Sequence, residues 1–287
     1  MPVRYLNPND MKNRIFYPAL FMLLSITIFY ACNKPENTEE EIPTESPCLP
    51  SGLKANTIAY YTFGNGSLKD ISGNGNDLTN PTTASPGVDR SGNVGCAYRF
   101  NGSTTLQEYL TTSNTSFLSS LSQFSISLWY QPTDSARKGG IYEILMARDS
   151  TIPDLKNCPW TLALYDCRRA VFYRENSYVW DETIMPKTSG SGFSCDSEVY
   201  VRTGGWHHLV AVFDNNNANK VKLYRDGVMQ STTQSGSAAN APVLDNGDLF
   251  IGNYYKGSLD DIIIFNKALS QAEVNDLATM GTCCEVN

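Results

Sequence analysis

Histidine is almost missing from this chain, with 2 in 287 residues, so a histidine-built metal centre is excluded. The 8 cysteines do not replace it: C-x-x-C never occurs, and Cys158 and Cys167 stand nine positions apart, which matches no zinc pattern. Catalytic signatures are missing as well. There is no G-x-S-x-G elbow. Nor is there an E-x-D-x-x-E run to set an acid and a nucleophile on one strand face, as glycoside hydrolysis by two carboxylates requires. Glu143 stands alone in IYEILMARD. Basic charge is scarce, 22 Lys and Arg against 29 Asp and Glu for a net −7, which excludes a face for nucleic-acid phosphates. Helical periodicity is confined to one short segment near the end, so a mainly helical fold is excluded too.

What is present begins with an export signal. Lys12 and Arg14 precede the apolar stretch IFYPALFMLLSITIFYA, which stops at Cys32. At seventeen residues the stretch is near the lower limit for a membrane-spanning helix, and the cysteine argues against a retained anchor. The run FYAC resembles a bacterial lipoprotein signal, in which Cys32 is lipidated and becomes the N-terminus. The following NKPENTEEEIPTESP is acidic, contains proline and has few large apolar groups, so residues 33–54 read as a disordered tether. An acidic run just behind the lipidated cysteine resembles the surface-export signal of Bacteroidetes-type lipoproteins. It implies a lipid anchor as the only membrane contact, at the outer face of the outer membrane.

From residue 55 to 287 the chain alternates short apolar runs with turn residues. IAYYTF, AYRF, FSISLWYQP, IYEILMAR, WTLALYD, AVFYRE, WHHLVAVFD, KVKLYRDG and DLFIGN are rich in aromatic and β-branched residues and bounded by Gly, Asn, Asp or Pro, which makes each a strand. In FSISLWY the serines alternate with Phe124, Ile126, Leu128 and Tyr130, the pattern of a half-buried strand. Asp226-Gly227 signals a two-residue hairpin. About a dozen strands in one domain imply an all-β, two-sheet antiparallel jelly-roll sandwich. A short C-terminal helix closes it: Ser270 and Glu273 form a capping box, and Leu269 with Val274 a hydrophobic staple.

The remaining cysteines read as disulfides of an oxidising compartment. Cys158 and Cys167 flank a strand and are the favoured pair, while a bridge from Cys48 to Cys283 or Cys284 ties the termini together. The odd number beyond Cys32 leaves one thiol over. His207 and His208 after Trp206 read as packed strand residues. The run KDISGNGNDL sets Asp70, Ser72, Asn74 and Asn76 at alternate positions, like the first half of an EF-hand loop, but Pro81 stands where the closing carboxylate belongs. A phosphate cradle fails for want of a third glycine and a lysine. A tight turn remains open beside a metal loop.

IAYYTFGNGSLKDISGNGNDLTN with DRSGNVGCAYRFNG, then FSISLWYQP, then GGWHHLVAVFD, VKLYRDGVMQS and FIGNYYKGSLDDIIIFNKALSQAEVNDL together resemble LamG-like jelly rolls of the concanavalin A-like lectin and glucanase superfamily. The resemblance implies a structural Ca²⁺ held by Asp70 and Asp261 with Asn74; the alternative is a plain turn with Asp260 and Asp261 solvated. On a strand those two neighbours point to opposite faces, so only one reaches the loop.

Recognition is the function these features favour, and the long insertions at 133–140, 149–159 and 176–205 are the place for it. Tyr178, Trp180 and Asp181 combine ring faces for the apolar side of sugars with a carboxylate for hydroxyls; the plainer reading has Trp180 pinning the loop to the sandwich. The expectation is a non-catalytic module for a glycan or glycoprotein. Structural adhesion through cell-surface protein partners, and a glycoside hydrolase or lyase with dispersed carboxylates, are the alternatives.

Overall fold

The computed structural model describes residues 48–133, 141–149, 159–165, 168–174, 177–181, 205–232, 234–235 and 246–285. Lipidation at Cys32 and the Cys158–Cys167 pairing concern residues outside these. Residues Glu45–Asn287 form a compact unit.

The strands are β1 (Thr57–Tyr61), β2 (Ser85–Val88), β3 (Val94–Asn101), β4 (Leu110–Thr112), β5 (Gln123–Pro132), β6 (Glu143–Asp149), β7 (Trp160–Tyr165), β8 (Arg169–Arg174), β9 (Ser177–Trp180), β10 (His207–Asp214), β11 (Val221–Arg225), β12 (Val228–Thr232), β13 (Gln234–Ser235), β14 (Asp248–Ile251) and β15 (Lys256–Phe265); helix α1 (Gln271–Ala278) follows. They form two antiparallel sheets. One runs β12-β11-β10-β5-β15-β3-β2, with β1 also on β15; the other runs β13-β9-β8-β7-β6-β14-β4.

Alternate side chains of both sheets meet between them. Phe124 of β5 packs against Trp160 of β7 and Phe172 of β8, with ring centroids 5.7 and 6.1 Å apart, which ties the layers together at one end. Gly252, just after β14, takes φ +82, and a Cβ there would lie 2.3 Å from the Phe100 ring. Only glycine serves both the backbone angle and the close approach.

The outer face of the eight-stranded sheet is covered over β1, β15, β5 and β10, which corrects the half-buried reading of FSISLWY. Ser125 and Ser127 are buried. Ser125 Oγ donates to the Lys267 carbonyl and accepts from the Leu269 amide, so the serines anchor a covering layer instead of facing water. That layer includes Leu49, Leu53, Leu269, Val274, Leu277 and Cys283. Residues 48–54 therefore belong to the fold and not to a tether: a 3-10 turn at Ser51–Asn56 seats Leu53, and Cys48 is bonded to Cys283. A second disulfide joins Cys96 to Cys284.

Helix α1 carries the expected capping box. Ser270 Oγ accepts from the Glu273 amide at 3.4 Å, and the Ser270 amide donates to Glu273 Oε2 at 2.9 Å. The Asp226-Gly227 hairpin joins β11 to β12 with φ of 51 and 80, as a two-residue turn of this type requires.

Candidate functional site

On β7, β8 and β9, residues alternate between the inter-sheet core and the opposite face. Leu162, Leu164, Phe172 and Val179 enter the core. Ala163, Val171 and the half-buried Tyr173 and Trp180 gather on the other side. Cross-strand register sets Tyr173 opposite Tyr178 and Val171 opposite Trp180. The result is a tract of half-exposed rings. Tyr142 stacks on Tyr165 at 4.1 Å, Tyr165 lies 6.0 Å from Trp180, Trp180 meets Tyr173 edge-on at 6.4 Å, and Tyr173 stacks on Tyr178 at 5.3 Å.

Trp180 is fixed from one side. The Arg169 guanidinium lies 4.8 Å over its ring, and Arg169 Nε donates to the Asp181 carbonyl at 2.8 Å. Such preset rings suit the flat apolar faces of sugars, because stacking then costs little ordering entropy.

The sequence reading placed Tyr178 and Trp180 in a loop insertion; they stand on strand β9. Tyr165 and Tyr173 were not anticipated, although the signal was present. In WTLALY and AVFYR the large core residues alternate with Thr161, Ala163, Tyr165 and with Val171, Tyr173, which puts both tyrosines outward. Asp181 does not share the face. One position beyond Trp180, its side chain is fully buried and lies 3.4 Å from Arg225 of β11 in the opposite sheet.

The calcium residues are also placed differently from expectation. Asp70 accepts from the amides of Tyr60, Ser72 and Asn76 at 2.9, 2.9 and 3.0 Å. Asn74 directs its amide nitrogen, a donor, to the Thr57 carbonyl and to Ser72 Oγ. KDISGNGNDL is thus a turn organised around the Asp70 carboxylate. Asp261 instead accepts from Arg90 at 2.6 Å, the Tyr60 hydroxyl at 2.9 Å and the Cys283 amide at 3.3 Å. What joins the two carboxylates is Tyr60, whose amide binds one and whose hydroxyl binds the other. A calcium ion needs about six to eight oxygens with free lone pairs. These residues offer committed oxygens, a nitrogen donor and a guanidinium, and do not fit it.

Asp260 and Asp261 are neither solvated nor on opposite faces; both are fully buried. The β15–β5 register shifts between Asp260 and Ile263, and Asp261 takes φ 44. This bulge breaks the alternation and turns both carboxylates to Arg90. Burial pushes the Asp261 carboxyl up to about 6 against the pull of Arg90, and burial together with the Asp261 charge holds Asp260 well above its ordinary value.

The other titratable candidates are structural. Glu143 forms a two-point ion pair with buried Arg168, at 2.9 and 3.2 Å. His208 bonds Ser127 Oγ through Nε2 at 2.8 Å, and burial lowers it to about 3, so it is a neutral imidazole.

The family profile described as concanavalin A-like lectin/glucanases superfamily matches residues 101–275. The chain belongs to that superfamily. No curated protein sequence matches it. Solved structures of similar shape include chains of botulinum neurotoxins. One, from a study of type C cell entry through two ganglioside molecules, has TM-score 0.57 at 16% identity over 79% of this chain and 51% of that one. Another, of type DC in complex with rat synaptotagmin II, has TM-score 0.56 at 15% identity over 79% and 52%. This superfamily member thus spans about half the length of those toxin chains. Domain 4 of AbnA, a GH43 extracellular arabinanase from Geobacillus stearothermophilus, in complex with arabinotriose, has TM-score 0.52 at 20% identity over 78% of this chain and 98% of that one.

Proposed function

We propose that the protein is a non-catalytic carbohydrate-binding module, with the ring tract on β7, β8 and β9 as its recognition face. The tract itself carries the reading. Tyr165, Tyr173, Tyr178 and Trp180 are half-exposed on a rigid sheet, held at fixed spacings by stacking and by Arg169. Neighbours of the same shape bind gangliosides and arabinotriose, which supports a glycan or glycoprotein ligand. The engagement of Glu143 by Arg168 argues against that carboxylate as a catalytic acid.

The module acts at the cell surface, held by lipid on Cys32. Two disulfides support an oxidising compartment. A glycan array tests the binding claim: selective binding of one sugar class is expected, and a blank array with the folded protein would shift the case to a protein partner. Cys32→Ala should move the protein from the membrane to the soluble fraction; unchanged fractionation would remove the lipid anchor from the account.

A further inference from the structure

The buried carboxylates at the β15 bulge face the guanidinium of Arg90. This residue lies in the turn between β2 and β3, where Asp89 fixes the backbone by accepting from the amides of Ser91 and Asn93 at 2.8 and 2.9 Å. From there Arg90 Nη1 donates to Asp260 Oδ2 at 3.0 Å and to Asp261 Oδ2 at 2.6 Å. Its Nη2 donates to the carbonyls of Met280 and Gly281 at 3.2 and 2.6 Å. The guanidinium also lies 4.4 Å over the Trp129 ring of β5. Its side chain is only 10% exposed, and both carboxylates are at 0%.

Two adjacent carboxylates in a closed site repel each other and lose hydration, so the arrangement holds only with a positive charge between them or with protons on them. Arg90 supplies that charge and does something a bare ion could not do with these groups. Its planar fork reaches two carboxylates on one side and two carbonyls on the other. It thereby connects the β2–β3 turn, the middle of β15 and the segment that carries Cys283 and Cys284. Tyr60 from β1 adds its hydroxyl to Asp261, and His208 of β10, behind Trp129, is neutral and contributes no competing charge.

We infer that Arg90 is the resident cation of this fold: it neutralises Asp260 and Asp261 at the bulge and clasps the C-terminal segment to the sheet, so that folding requires no divalent metal there. The inference stands apart from the sugar-binding reading, because it is tested on the folded protein alone.

The experiment is thermal melting of the whole protein and of Arg90→Met, Asp260→Asn and the double variant, each in calcium and in chelator. The wild-type melting temperature is expected to be the same in both buffers; a drop in chelator would overturn the inference. Arg90→Met should melt lower by roughly 10 °C, the scale of a broken buried ion pair in a domain of this size. The double variant should recover part of that loss, because one of the two uncompensated charges is gone. Strictly additive losses would mean that Arg90 acts only through packing on Trp129, and would overturn the role as cation. Should Arg90→Met fail to fold, the double variant decides alone: folded, it supports the inference; unfolded, it overturns it.

Discussion

At the scale of single residues, this molecule repeatedly uses polar side chains as internal fasteners. Asp70 organises a turn, Ser125 holds the covering layer, Ser127 holds His208, and Arg90 holds the bulge. Two of the groups these fasteners hold have pH consequences of opposite sign. Burial lowers His208 to about 3, so its contribution is complete above the ordinary imidazole value near 6.5 and is lost as pH falls from there toward 3. Asp261, raised to about 6, contributes fully below the ordinary carboxylate value near 4, and that share is lost as pH rises through 6. Urea denaturation between pH 7 and pH 4 should therefore show His208→Gln losing less stability on acidification than the wild type. Parallel pH profiles would contradict a buried neutral imidazole. The loop residues were legible only as types: the sequence shows that Asp70, Ser72 and Asn74 carry oxygens, but whether those oxygens face an ion or backbone amides depends on long-range packing against β1.

At the scale of elements, local rules carried far. The capping box of α1 was readable because it is a contract among four successive residues. Ser270→Ala should cost about 1 kcal/mol in chemical denaturation, with the sheets unchanged by circular dichroism; no measurable loss would mean that packing of Val274 and Leu277 alone sets the helix. Every quoted strand run became a strand, since alternation and turn residues are local signals. What escaped were the strands outside those runs, β9 among them: SYVW is only 4 residues long, and its partners β8 and β13 come from both sides of it in the chain. The bulge in β15 escaped as well, as nothing local marks Asp261 for a positive φ. With the bulge missed, two neighbouring aspartates were assigned to opposite faces.

At the scale of the whole molecule, the two faces of the sandwich have different fates. The eight-stranded sheet is closed over β1, β15, β5 and β10 by the N-terminal turn, α1 and the disulfide of Cys48 with Cys283, so that part of its outer surface is structural. The seven-stranded sheet carries half-exposed rings on its outer surface, and the account assigns recognition to it. The choice of jelly roll was legible in motif order, whereas the recognition face required cross-strand register, which pairs Tyr173 with Tyr178 and Val171 with Trp180. The central claim is tested most directly by titrating the best array glycan into wild type, Tyr173→Ala and Trp180→Ala, with a melting curve for each. Each ring truncation should weaken binding about tenfold or more, the loss of about 1.4 kcal/mol of stacking, while the melting temperature changes little. Undiminished binding by both folded variants would contradict the assignment of the site to this face.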